Sequence, residues 1–426
     1  MTALDVGAPS GLYCGPRRRD RNMFMRGATW FTLTVTLCSL ALVACGGSDE
    51  SDDGDGGAAG IALDFGELDD AMNEFLKANS LAGAGVVIVH KDAGVLYETS
   101  YGSFEKDRLY LIASSSKVLS VGVLMHLADQ GVIDIDKPIG NYLKSWTGNK
   151  PELTVAQLLS NSSGLVGLTD NPLYAPYLCQ YTEGGTLTAC AKSIYDAMDE
   201  ADRKPPDTEF HYGGGAWQLA GGIAEQVSGK TWAQLIDEIY VKPCGTKSTG
   251  YTNQYQRAFT GGGSTASALM YPTFFMGKVS NLPMSDNPSI EGGAYTSVGD
   301  YAKILLMHLR GGTCGDERVL SEQAVARMQE DRIKMAYDGS TIDPTLAGYG
   351  LGWWVDRDHP GVVGDAGAYG AMPWLDLPRG YGAFIVLEAS ATLGSQLRLK
   401  TKPILDALID QAVKDGKLPA QDKSKG

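Results

Sequence analysis

Histidine is scarce, five in 426 residues, and no spacing of cysteine with histidine matches a metal-binding loop. A resident metal ion is not expected. Basic residues are outnumbered too: 36 Lys+Arg against 50 Asp+Glu leave a net charge of −14, so nucleic acid finds no electrostatic footprint and is excluded as a partner. Charged residues make up only 20% of the chain and hydrophobic ones 43%, which excludes a disordered protein and describes a globular one with a large core. Internal repeats are missing. A membrane-spanning run is missing as well: residues 27–44 are uncharged but rich in threonine, short of the roughly 20 apolar residues a span requires.

What is present at the N-terminus reads as an address. Residues 1–44 place Arg17, Arg18, Arg19, Arg21 and Arg26 ahead of the uncharged stretch, the layout of a secretory signal peptide. The stretch closes on Leu42-Val43-Ala44-Cys45-Gly46, which resembles the bacterial lipoprotein box, so cleavage before Cys45 and lipid on Cys45 are expected. Lipid there makes the membrane a partner. Gly46 is not the aspartate that retains such a protein in the inner membrane, so the expected location is the cell envelope, periplasm-facing or at the surface, and the outer membrane in particular. Met23 or Met25 as the start would give a more usual signal length. Residues 45–62 are an acidic, glycine-rich tether too polar to fold, which by random-coil scaling holds the rest roughly 20 Å from its anchor. Loss of residues 1–44 removes five arginines and two aspartates and takes the net charge from −14 to −17.

Of seven cysteines, Cys14 and Cys38 leave with the signal and Cys45 takes lipid. Cys179, Cys190, Cys244 and Cys314 remain, an even number in an oxidising compartment. Pairing Cys179 with Cys190 and Cys244 with Cys314 is preferred on loop proximity alone; four buried thiols are the alternative.

The folded part is expected over residues 63–415, with a disordered tail at 416–426. Residues 84–90 and 94–99 read as a hairpin, being rich in β-branched residues on either side of a short polar turn. Helical patterns follow at residues 114–130, 216–227, 231–241, 297–309 and 397–413, with capping boxes at Thr154-x-x-Gln157 and Thr231-x-x-Gln234. Strands return at 351–355, 371–375 and 381–387. Strands at both ends enclosing helices imply an α/β (α+β) fold: one antiparallel sheet closed between the chain's two ends, flanked by helices, with a helical subdomain inserted.

The chemistry centres on Ile112-Ala113-Ser114-Ser115-Ser116-Lys117. In a helix, residues three apart share a face, so the Lys117 amine can reach the Ser114 hydroxyl. About one lysine amine in 2,500 is neutral at pH 7, and lowering its pKa by about three units costs roughly 4 kcal/mol, which only a desolvated site imposes. The apolar flanks of this helix predict burial, hence a neutral, basic Lys117. Ser103-x-x-Lys106 has the same spacing but lies in a charged run, Glu105-Lys106-Asp107-Arg108, and reads as loop.

Taken in order, five segments resemble the serine hydrolases of the class C β-lactamase type: residues 112–117, Leu158-Leu159-Ser160-Asn161-Ser162-Ser163-Gly164-Leu165, Pro206-Asp207-Thr208-Glu209-Phe210-His211-Tyr212, residues 291–302, and Tyr349-Gly350-Leu351-Gly352-Trp353. The resemblance spans nearly all of residues 65–413 and implies a β-lactamase/transpeptidase-like fold. It also implies that Ser114 is the nucleophile, Lys117 its proton acceptor, and Tyr212 the residue that passes the proton to the leaving group and later activates water. No cofactor is implied. Two family elements are altered. Tyr212 is followed by Gly213-Gly214 where the family commonly has x-Asn, and no Lys-Thr-Gly is present. The best match to that third element, which the family carries on an edge strand, is Asp365-Ala366-Gly367, with His359-Pro360-Gly361 as runner-up. Asp365 and Gly367 are then expected at the substrate, and the backbone N–H groups of Ser114 and Ala368 form the oxyanion hole, worth roughly 3 to 4 kcal/mol per donor. Without the Lys/His cation a substrate carboxylate loses its partner, so esters and uncharged amides fit better. Trp217, Trp353, Trp354 and Trp374 are candidates for an apolar acyl pocket, or are core.

The expected activity is an acyl-enzyme hydrolase with a small-molecule acyl substrate, preferentially a short-chain or uncharged ester. A D-amino-acid peptidase, DD-carboxypeptidase or β-lactamase is the second reading, and a catalytically inactive binding or sensing module the third.

Overall fold

The hairpin sets the fold: β1 (Gly83–His90) and β2 (Gly94–Gly102) pair antiparallel, and Gly94 at φ 74° takes the left-handed position that the tight turn demands. The computed structural model describes residues 62–146, 152–168, 170–197, 202–260, 270–333 and 347–421. The expected signal, Cys45 and most of the tether lie outside the described residues.

Three short strands, β3 (Tyr110–Leu111), β4 (Gly250–Tyr251) and β5 (Ala294–Thr296), make a small sheet in the order β3-β5-β4, and β6 (Thr313–Cys314) with β7 (Glu317–Arg318) makes a hairpin. The main sheet adds β8 (Ala347–Tyr349), β9 (Trp354–Asp356), β10 (Val362–Gly364), β11 (Ala371–Asp376) and β12 (Tyr381–Leu387), in the order β2-β1-β12-β11-β10-β9-β8. β1 pairs with β12 from Ala84↔Leu387 to His90↔Tyr381, so the two ends of the chain close the sheet as expected.

Seven helices matter to the argument: α1 (Gly66–Ala78), α2 (Ser116–Asp129), α3 (Val155–Leu159), α4 (Leu187–Ala197), α5 (Gly215–Ser228), α6 (Val298–Leu309) and α7 (Ala391–Lys414). Alternate residues of β1 and β12 face opposite ways. Val87, Val89, Phe384 and Val386 join a core with α2, α5 and α6, whereas Val86, Ile88, Ala383 and Ile385 pack under α1 and α7. Both faces are covered, so β1 is buried along its whole length. That is why its sequence runs apolar without alternation.

Both capping boxes form, at Thr154 and Thr231, and both preferred disulfides are present, Cys179–Cys190 and Cys244–Cys314. Three expectations need correction. The strand expected at 351–355 begins only at Trp354, in β9; residues 351–353 form a turn at Gly352 (φ 79°) between β8 and β9. The helix at 231–241 keeps regular α geometry only to Ile236, then widens over Asp237–Val241 ahead of Pro243, which has no N–H to continue the ladder. The expected disorder from residue 416 does not hold over 416–421: Leu418 is buried beside α7, and the Gln421 amide donates to Asp92 at 2.8 Å. Among the described residues no helix is long and apolar enough to cross a membrane.

Candidate active site

The chain leaves β3 through Ile112 and turns at Ala113, whose φ of 46° is left-handed for a residue with a Cβ. A 3-10 turn over Ala113–Ser115 then feeds α2. Three consecutive serines follow different fates. Ser115 Oγ donates to Asp365 O at 2.6 Å, and Ser116 Oγ donates to Ala113 O at 2.5 Å while accepting the Ala294 N–H at 2.9 Å. Both are buried and structural; Ser114 alone of residues 110–117 is partly exposed. Its Oγ lies 3.1 Å from Lys117 Nζ. Ser103 and Lys106, by contrast, are exposed, and Ser103 Oγ donates to Ala82 O.

Lys117 has no solvent exposure. Besides Ser114, its Nζ donates to the backbone O of Glu291 at 3.1 Å, lies 3.5 Å from Glu291 Oε2, and sits over the Tyr212 and Trp217 rings at 4.7 and 5.3 Å. The geometry meets the expectation of a dry amine, but the charge does not. Burial disfavours the ammonium, yet Tyr212, Glu291 and Asp365 together outweigh it, and the lysine pKa is held above its ordinary value. Desolvation alone was too simple a basis for a neutral amine, because it left out the acidic neighbours that the fold brings in. Tyr212 is also pushed up, first by burial; the Lys117 ammonium and the Ser114 hydroxyl act against that, Asp365 and Glu291 with it. At rest both members of the pair therefore hold their protons.

Tyr212 stands where α5 is about to begin, flat against Trp354 with 5.4 Å between ring centroids and edge-on to Tyr349. Gly213 and Gly214, at φ 76° and 85°, turn the chain so tightly that a Cβ on Gly213 would come within 2.6 Å of Glu291 Oε2. Gly213 N–H donates to Asn161 Oδ1 at 3.0 Å and Gly214 N–H to Glu291 Oε2 at 2.9 Å. Asn161 Oδ1 also accepts from Trp217 Nε1 at 2.8 Å, fixing the ring beneath Lys117. The absence of a side chain at Gly213 thus leaves room for the Glu291 carboxylate beside this turn.

Asp365, Gly367 and Ala368 lie in the loop joining β10 to β11, strands interior to the sheet rather than at its edge. Gly367 is required by close approach, since a Cβ there would meet Ile112 O at 2.1 Å. With the Ser115–Asp365 hydrogen bond this fastens the loop to the serine turn and leaves Ala366 and Ala368 partly exposed beside it. The expectation that Asp365 contacts substrate is corrected: it is fully buried, both carboxyl oxygens lack a hydrogen-bond partner, and burial holds its pKa far above the usual carboxylate range despite the Lys117 charge. The runner-up, His359, has a side chain 75% exposed and paired with Asp356. Trp217, Trp353 and Trp374 are core; of the four tryptophans only Trp354 is partly exposed against Tyr212.

Two residues had no assigned role in the sequence. Glu291 opens a quoted segment, and only its spatial meeting with Lys117 gives it meaning. Arg332 lies outside every quoted segment, yet its Nη1 donates to Ser160 Oγ, Ser162 Oγ and Asp207 Oδ1 at 2.9, 2.8 and 2.7 Å. It ties the end of α3 to the segment that carries Tyr212. Burial raises the Asp207 pKa, but Arg332, Gln157 and Ser162 outweigh it and bring it down to about 2. No cluster of metal-ligating side chains occurs among the described residues.

Such an arrangement brings together a hydroxyl, an amine and a phenol, with Ser114 and Tyr212 partly exposed, the parts that acyl transfer through a serine requires. A family model described as Beta-lactamase matches residues 68–402. Penicillin-binding protein 4 of Amycolatopsis lactamdurans is 25% identical over 308 residues, 69% of this chain and 75% of that protein. Esterase EstB of Burkholderia gladioli is 23% identical over 225 residues, 45% of this chain and 53% of the esterase. Among solved structures, the octameric penicillin-binding protein homologue from Pyrococcus abyssi aligns with a TM-score of 0.61 at 22% identity, over 81% of this chain and 78% of that one, a likeness of fold.

Proposed function

This chain belongs to the beta-lactamase family, and from that premise we propose that it is a serine hydrolase that forms an acyl-enzyme on Ser114 and acts on short-chain or otherwise uncharged esters. The observation that carries the reading is the 3.1 Å contact between the partly exposed Ser114 Oγ and the buried Lys117 Nζ. The reactive form is the one in which the Lys117–Tyr212 pair has lost one proton; the pair, rather than either group, is the base. Ser114 Oγ then bonds to the substrate carbonyl carbon and its proton passes to the pair. When the carbonyl–oxygen bond of the ester breaks, Tyr212 returns that proton to the departing alcohol. Water then gives its proton to the same pair as it bonds to the acyl carbon, and when the carbon–Oγ bond breaks the pair returns that proton to Ser114 Oγ. The N–H groups of Ser114 and Ala368 are the proposed donors to the oxyanion.

The preference for uncharged esters is supported by the missing cation at the third family element: Asp365-Ala366-Gly367 offers a substrate carboxylate no Lys or His, and the net charge of −14 offers no attraction at long range. The relatives named for esterase and penicillin-binding activity bracket this choice. A fluorophosphonate probe tests the nucleophile: labelling of the wild type that Ser114→Ala removes is expected, and an unlabelled wild type contradicts it and favours an inactive binding module. Parallel kinetics on a p-nitrophenyl acyl ester and a cephalosporin test the substrate class, and faster lactam turnover contradicts the ester preference. We also propose lipid on Cys45 and an envelope location; Cys45→Ser is expected to move the protein from the membrane fraction to the soluble one.

A further inference from the structure

Resting on the reading of Ser114 as nucleophile, we infer that Glu291 is a positioning residue that sets the pH at which the site becomes reactive, by pinning the Lys117 ammonium and the Tyr212 turn with one carboxylate.

Three observations converge. Glu291 contacts Lys117 twice, through its backbone O at 3.1 Å and its Oε2 at 3.5 Å, so the amine is aimed by the same residue that balances its charge. The same Oε2 accepts the Gly214 N–H at 2.9 Å, two residues beyond Tyr212, so the carboxylate fastens both halves of the proton-handling pair. And the backbone is shaped to admit it: Gly213 and Gly214 adopt left-handed φ, and a side chain on Gly213 would collide with Oε2. The Glu291 side chain is only 8% exposed, so water screens this ion pair little.

Tyr212 and Asp365 also favour the ammonium, but the ion pair with the amine is made by Glu291. From the β10–β11 loop comes Asp365, kept protonated by burial. From the segment before α5 comes Tyr212, kept neutral in the same way. From the 3-10 turn comes the Ser114 hydroxyl. Around Glu291 itself, Tyr181, Tyr255 and Tyr349 are phenols pushed above their ordinary range, mainly by burial. Glu291 is thus, among the described residues, the carboxylate that pairs directly with the Lys117 amine and also holds the Tyr212 turn, and it opposes loss of the proton from Lys117 alongside Tyr212 and Asp365. Its presence delays activation to alkaline pH, and its removal advances it.

Glu291→Gln is the discriminating change, because the amide oxygen still accepts the Gly214 N–H and only the charge goes. The readout is the pH profile of fluorophosphonate labelling, compared for wild type, Glu291→Gln and Glu291→Asp, with melting curves to establish folding. The rising limb of the Gln variant is expected to move to lower pH by about one unit or more, while the Asp variant, which keeps the charge, stays near wild type. Superimposed limbs for wild type and Gln overturn the inference. Should the Gln variant fail to fold, the wild type decides alone: a labelling rate still climbing above about pH 9, beyond the range of an unassisted buried lysine, supports it, and a plateau reached by about pH 7 overturns it. A wild type that is never labelled removes the parent reading instead, and this inference with it.

Discussion

Lys117 Nζ and Glu291 Oε2 lie 3.5 Å apart with the amine sealed from solvent, 174 residues apart in the chain. The helix α2 that carries Lys117 and the segment leading to β5 meet at this pair. A buried ion pair loses several kcal/mol when one partner is removed, because the other charge is stranded. Replacing the lysine therefore has two separable effects.

Lys117→Met is expected to lower kcat/KM for a p-nitrophenyl ester by about 10²- to 10⁴-fold, the range for loss of a positioned proton-transfer group. Its melting temperature falls as well, since Glu291 loses its counter-charge. Unchanged esterase activity in this variant contradicts the role given to the amine.

Tyr212→Phe keeps the stack on Trp354 but removes the phenol that hands a proton to the leaving group and draws one from water. Turnover is expected to drop by about 10²- to 10⁴-fold, with the acyl-enzyme accumulating when deacylation suffers more than acylation. Intact-mass measurement after mixing with ester reads this directly, and an unmodified protein with normal turnover is the contrary outcome.

The Asp207–Arg332 contact predicts acid sensitivity. Asp207 in the folded protein titrates at about 2, below the roughly 3.9 of an unfolded aspartate. Its contribution to stability is therefore complete above about pH 4 and lost as pH falls from there toward 2. Arg332→Ala is expected to lower the melting temperature at neutral pH and to flatten its pH dependence between about pH 4 and 2. A slope unchanged by the substitution contradicts the assignment.

The Cys244–Cys314 bridge closes a loop with a sequence separation of 70, for which chain entropy gives a stabilisation of about 4 kcal/mol. The Cys179–Cys190 bridge spans only 11, worth about 3 kcal/mol on the same basis. Cys244→Ser with Cys314→Ser is expected to lower thermal stability more than the paired removal of Cys179 and Cys190. Equal melting curves for the two double variants contradict this ordering.

What was legible in the sequence was local or carried by contiguous residues. The hairpin, the strands at Ala371–Asp376 and Tyr381–Leu387, and the helices following Ser114 and Ser297 have apolar runs or caps that propensity alone decodes. β10 was not legible because three residues, Val362–Gly364, carry no period. In the site, Ser114 and Lys117 were legible because one helical turn joins them. Glu291 and Arg332 were not, because each acquires its role only through partners more than 70 residues distant. Asp365 was misjudged for the same reason: its place in a motif said where it stands in the chain, while its orientation toward Lys117 and away from solvent is a property of the packed loop.

The central claim is a covalent bond on one hydroxyl. Intact-mass analysis of the wild type and of Ser114→Ala, each mixed with an activated acyl ester and quenched early, tests it most directly. A single acyl adduct on the wild type, mapped to the peptide containing Ser114 and absent from the variant, is the predicted result; an adduct of equal yield on both proteins contradicts the account.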